Sequence, residues 1–150
     1  MSSAGLLLLA GGGHSHALIL KRWAMDPGRR PARPVVLINR CSTALYSGMV
    51  PALIAGIEPP EALAIDLRSL CDRAGVSFVQ AEITGLDPIQ RCLVLANRPP
   101  LHFGLLSLDV GAISRPSAEG MAIKPLQPAR AFIASGDLTR TNSPPVVAAG

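Results

Sequence analysis

The residues best suited to chemistry stand together near the start of the chain, in Gly11-Gly12-Gly13-His14-Ser15-His16. Glycines in this arrangement can form a tight turn ahead of a helix. The first amides of such a helix are unpaired and carry partial positive charge, so they attract anions. Gly11 and Gly13 match the first two glycines of a dinucleotide-binding fingerprint, one for the turn and one for close approach of a pyrophosphate. His16 stands where the third glycine would let helix and strand pack closely. Two histidines also raise metal binding. His14 and His16 are two residues apart, however, whereas helical neighbours meet at three or four, and the only other histidine is His102. No metal site is expected. A glycine-rich turn with no ligand stays open as the alternative, and in either case His16 is expected to pack at the strand–helix junction.

Such a turn needs a strand before it and a helix after it. The run Gly5–Ala10 is apolar and bounded by glycine, as in a strand buried on both faces of a parallel sheet. A helix over His14–Met25 follows, stopped by Asp26-Pro27-Gly28, and Val35–Ile38 supplies a second strand. This β-α-β order implies a parallel sheet with a right-handed crossover. Asn39 and Arg40 occupy the end of the second strand, where a dinucleotide site usually has an acid for a ribose hydroxyl. Asn39 can serve more weakly, and Arg40 suits a 2′-phosphate or faces solvent.

Further on, Cys41–Gly48 reads as a loop and Met49–Ala55 as a small apolar segment. Asp66 is an N-cap for a helix over Leu67–Ala74, with Gly75 as its stop. Val76–Ile83 is expected as a third strand, Asp87-Pro88 as a turn, Arg91–Ala96 as a hairpin strand and Leu105–Val110 as a last strand ending at Gly111. The fold class is therefore α/β, a Rossmann-like parallel sheet with a small β-hairpin element. Residues 114–145 are proline-rich with a short helix near Ala129–Ala134, and 146–150 begin a new strand.

Composition narrows the function classes. The chain has 150 residues, 49% hydrophobic and 3% aromatic, so its core must be aliphatic. Its net charge of +4 includes a local group, Lys21, Arg22, Arg29, Arg30, Arg33 and Arg40. Without denser clustering and aromatic partners this is no nucleic-acid patch; it reads as a solvated helix end and loop, with contact to a membrane surface left open. Leu6–Ala10 is too short for a signal-peptide core of about 7–15 residues and has no basic region before it. No window reaches the roughly 18 apolar residues of a membrane span. Cys41, Cys71 and Cys92 form no CxxC pair, which excludes a zinc knuckle or CxxC redox site and fits thiols in a reducing, cytoplasmic setting.

Five stretches then follow one another in a familiar order: LLLLAGGGHSHALIL, VVLINR, ALYSGMVPALIAG, AIDLRSLCDRAGVSFVQAEITGLDP and LLSLDVG. Together they resemble the N-terminal half of the FAD domain of the pyridine nucleotide-disulfide oxidoreductases, in the type II NADH dehydrogenase-like branch. The wording GGGHSHA and YSGMVPALIAG is most similar to the FAD-dependent oxidoreductase domain fused ahead of selenide, water dikinase. The resemblance implies FAD as the dinucleotide and NADH or NADPH as co-substrate, with electrons passed to a quinone or other acceptor. A selenide, water dikinase, fused or separate, is the implied partner.

It further implies that Gly11, Gly12, Gly13 and the amides near His14, Ser15 and His16 hold the pyrophosphate. Asn39 and Arg40 would lie by the ribose, the backbone at Glu82-Ile83 by the adenine, and Tyr46–Pro51 near the flavin. Gly111 would fill the glycine of the second FAD motif, although Asp109-Val110 replaces the usual Ala-Thr before it. Cys41 has no partner across the next six residues, so dithiol chemistry is disfavoured and direct hydride transfer between nicotinamide and flavin is expected. By this likeness residues 1–113 are the first part of an FAD domain, 114–145 a connector, and 146–150 the start of a second nucleotide-binding domain cut short. A non-catalytic dinucleotide-binding or regulatory module, for FAD or NADP, is the competing expectation.

Overall fold

The structure is a computed structural model that describes residues 5–112, 120–122 and 146–148. The chain divides into two compact units. One comprises Met1–Ala44 and Ile65–Gly111, the other Leu45–Ala64 and Ala112–Gly150.

The first unit is built on a four-stranded parallel sheet. Its strands are β1 (Leu7–Ala10), β2 (Val35–Asn39), β5 (Ser77–Gln80) and β9 (Leu105–Leu108), in the order β5-β2-β1-β9. β1 lies inside, with Leu7–Ala10 in register against Val35–Ile38 on one side and Leu105–Leu108 on the other. Successive side chains of a strand point to opposite faces, and β1 uses both. Leu7 and Leu9 face a cluster with Leu20 and Trp23 of α1 (His14–Met25) and Leu67, Cys71 and Ala74 of α3 (Leu67–Ala74). Leu8 and Ala10 face the opposite cluster, with Leu93, Leu95 and Leu101. Those residues come from a three-stranded antiparallel sheet of β6 (Ile83–Asp87), β7 (Cys92–Leu95) and β8 (Arg98–His102). The result is three layers: helices, parallel sheet, antiparallel sheet. Each fully buried leucine contributes about 1.5–3 kcal/mol, so the unbroken run Leu7-Leu8-Leu9 is the hub of both cores.

Asp66 caps α3 by accepting from the Ser69 amide at 3.0 Å and the Ser69 hydroxyl at 2.9 Å, and Gly75 ends the helix at φ +65°. The short strands β3 (Thr43–Leu45) and β4 (Ala64–Asp66) pair where the chain leaves this unit and returns to it.

The expected loop Cys41–Gly48 contains β3, and one expected strand divides. Val76–Ile83 is not one strand: β5 ends at Gln80 and β6 begins at Ile83. The Ala81 amide still donates to the Asn39 carbonyl at 3.0 Å, and the chain then crosses from the parallel to the antiparallel sheet. In addition, Arg98–His102 forms a strand despite Pro99-Pro100. β8 is the outer strand of its sheet, where a residue without an N–H leaves no interior ladder bond unmade. Asp87-Pro88 does turn the chain, with Asp87 Oδ1 accepting from the amides of Ile89 and Gln90.

In the second unit the Tyr46 amide donates to the Leu63 carbonyl at 2.8 Å, and Val50–Ile54 forms the short helix α2. Gly120–Ala122 (β10) and Val146–Ala148 (β11) pair in parallel. The expected helix near Ala129–Ala134 lies outside the described residues.

Candidate functional site

The glycine turn leaves the C-terminal end of β1 and enters α1, with Gly13 as the N-cap. The ends of the two neighbouring strands hold it. Gly11 donates its amide to the Ile38 carbonyl at 2.8 Å on the β2 side. On the β9 side Asp109 donates to the Ala10 carbonyl at 2.8 Å, and Gly13 donates to the Asp109 carbonyl at 3.2 Å.

Each glycine has a reason in this packing. Gly11 sits at φ +93°, and a Cβ there would overlap the Asp109 carbonyl oxygen, so the position excludes any side chain. A Cβ on Gly13 would overlap the carboxylate of Asp109. Gly12 lies against Leu67 and Asn39. Asn39 accepts from the Gly12 amide at 2.9 Å and donates through Nδ2 to the Cys41 carbonyl at 2.8 Å. Its side chain thus braces the turn and the loop after β2. Arg40 beside it is exposed.

His14 and Ser15, the first helical residues, are exposed, whereas His16 is 1% exposed. The His16 ring turns inward between β1 and β9. Because a carbonyl can only accept, Nδ1–H donates to Gly11 O at 2.7 Å, and the Ser107 hydroxyl lies 2.9 Å from Nε2. The third fingerprint position is therefore filled by a side chain that ties helix, turn and last strand together. With both ring nitrogens engaged and His14 facing solvent, the two histidines do not converge. Among the described residues no group of three His, Cys, Asp or Glu side chains could hold a metal ion.

The helix supplies no capping side chain of its own and has no acidic residue in its first turn. Its N-terminus is served instead from a distance: Asp109 Oδ2 accepts from the His16 amide at 3.1 Å. Asp109 and Ser107 are the two site residues that sequence reasoning overlooked. Their signals were a polar residue inside the apolar run LLSL and an acid in place of the small residue before Gly111. Gly111 itself lies two residues past Asp109 at φ +79°, and among the described residues nothing occupies the place of a Cβ there. Ile83 begins β6, and its side chain packs on the cluster beneath the parallel sheet. The structure thus gathers Gly11 to His16 and Asn39 into one turn, with Arg40 adjacent in the chain and Ile83 in the lower layer.

The cysteines take different environments. Cys41 is exposed, while Cys71 and Cys92 are buried. Burial pushes the Cys71 thiol up to about 12, with Asp72 adding to the rise, so it holds its proton at neutral pH.

A strand, a glycine turn and a helix set into a parallel sheet define a Rossmann-like α/β fold. The same fold occurs in oxidoreductases of known structure. Sulfide:quinone oxidoreductase from Aquifex aeolicus superposes with a TM-score of 0.72 over 91% of this chain and 33% of its own, at 15% identity. Water-forming NADH oxidase from Lactobacillus brevis, solved with NADH, gives 0.59 over 88% and 32%, at 17% identity. A ferredoxin reductase from Rhodopseudomonas palustris gives 0.54 over 77% and 28%, at 21% identity. The chain spans about a third of the length of these proteins. No protein-family profile and no curated protein sequence matches it. Among the described residues no helix is long and apolar enough to cross a membrane.

Proposed function

We propose that the chain is the FAD-binding part of an NAD(P)H-dependent flavin oxidoreductase, passing electrons from a nicotinamide through FAD to a quinone or other acceptor. The observation that carries this reading is the helix α1, which starts at the glycine turn with no cap of its own and with exposed first residues. The amides of Gly12, Gly13 and His16 are held within the protein, yet the exposed start of the helix still presents the positive end of its dipole, where a diphosphate gains. Oxidoreductases with the same fold, one of them solved with NADH, support it.

In this reading Gly11 to Gly13 and the amides of His14 to His16 hold the diphosphate. Asn39 and Arg40 lie toward the ribose, the Ile83 backbone toward the adenine, and Gly111 serves a second contact. Asn39 already spends both ends of its amide on the protein, so it shapes the turn more than it grips a sugar. When bound, the flavin supplies the two-electron chemistry, and the protein supplies position and electrostatics. A link to selenium metabolism through a selenide, water dikinase belongs to the same proposal.

The test is expression of the natural full-length reading frame. It should give a yellow protein whose flavin absorbance is bleached by NADH or NADPH; a colourless, flavin-free product overturns the reading. The exposed guanidinium of Arg40 favours one competitor, a module that binds NADP without turnover. That competitor requires tighter binding of NADP than of FAD, lost in Arg40→Ala.

A further inference from the structure

We infer that Asp109 is an affinity-setting residue of the glycine turn: its carboxylate is a built-in anion at the N-terminus of α1 that opposes a bound diphosphate. The inference rests on the FAD reading above and sharpens it.

The position is defined by three contacts. The Asp109 carboxylate fills the space where a Gly13 Cβ would project, and its Oδ2 accepts from the His16 amide at 3.1 Å. Its backbone carbonyl accepts from the Gly13 amide. The amide of the third helical residue is one of the orphan donors that make a helix start attractive to phosphate. Here a side chain of fixed negative charge already holds it. The β1–β9 pairing presses that side chain into place, since Asp109 follows directly on the register Ala10–Leu108. A ligand with a diphosphate must either displace the carboxylate or sit beside it. Both routes weaken binding, the first through the lost charge-assisted hydrogen bond and the second through like-charge repulsion.

The consequence is specific to charge. Asp109→Asn keeps an oxygen that can accept from the His16 amide and keeps the backbone bonds, but removes the negative charge. FAD should therefore bind the Asn variant about tenfold more tightly than the parent, or about 1.4 kcal/mol. A charge at a few ångströms in a partly solvated site supports an effect of that order. Riboflavin, which has no diphosphate, should bind both proteins alike.

The experiment is titration of the apo form of the full-length protein with FAD and with riboflavin, followed by flavin fluorescence, for the parent, Asp109→Asn and Asp109→Ser. The serine variant carries the test if the asparagine variant does not fold. A tighter FAD constant with an unchanged riboflavin constant supports the inference, as does a gain that shrinks when salt is raised. An FAD constant that is unchanged or weaker in a folded variant overturns it and leaves the FAD reading standing. If no protein binds FAD, the FAD reading fails, and the inference falls with it.

Discussion

His16 offers the sharpest test of how the turn is held. Replacing it with alanine removes a ring that is 1% exposed and takes away the partners of Gly11 O at 2.7 Å and Ser107 Oγ at 2.9 Å. A buried polar group left without its partner costs about 1–3 kcal/mol, and the vacated ring volume adds a cavity term. The hydroxyl of Ser107 can rotate toward another acceptor, whereas the Gly11 carbonyl is fixed by the turn. A loss of about 3–4 kcal/mol is therefore expected, a large share of the ~5–15 kcal/mol that stabilises an ordinary domain. His16→Gly should lose about 1 kcal/mol more, from glycine inside a helix. The assay is equilibrium urea unfolding followed by the fluorescence of Trp23, the sole tryptophan, which is buried on the same helix. Ser107→Ala should cost about 1 kcal/mol alone and couple to His16→Ala by at least ~0.5 kcal/mol in a double-mutant cycle. A loss below about 1 kcal/mol for His16→Ala, with no coupling, would show the ring to be a spacer and refute the reasoning.

Three further outcomes are expected. Gly13→Ala should destabilise the first unit and be largely rescued by Asp109→Ala, because the atoms nearest its Cβ all belong to the Asp109 side chain; Gly11→Ala should not be rescued, because it meets backbone at φ +93°. Thermal unfolding of the four variants decides, with about 3 kcal/mol or more expected for Gly11→Ala. With a thiol reagent at neutral pH, Cys41 should react at once and Cys71 and Cys92 only after denaturant is added, as their burial requires. Asp66 is held below its usual 3.8, chiefly by the Ser69 amide and hydroxyl, so its capping contribution is complete above that pH and is lost as pH falls through the lowered value. In acid titrations of stability, Asp66→Asn should flatten this part of the profile; identical profiles would argue against it.

Local signals carried much of the first unit into view. The apolar run of β1, the stop at Asp26-Pro27-Gly28 and the Asp66 cap all act within a few residues, so their effects can be read from neighbours in the chain. β8 escaped because Pro99-Pro100 weighs against a strand unless its edge position is known. The split between β5 and β6 escaped because VSFVQAEI has no glycine or proline to mark a break, and only the second sheet distinguishes its two halves. The site divides the same way. Gly11 and Gly13 announce a turn, but what makes glycine compulsory there is Asp109, which also caps the helix at His16 from far along the sequence. His16 looked like a defect in a fingerprint; its two partners, one 91 residues away, turn it into a tie.

The distance between those partners also sets an order of events during synthesis. The amide of His16 and the carboxylate that satisfies it are separated by 93 residues. At translation rates of 5–20 residues per second, about 5 to 20 s pass between their emergence. During that interval the nascent chain carries β1, β2 and α1 without the strand that closes the turn, and the leucine-rich flank of β1 waits for β9.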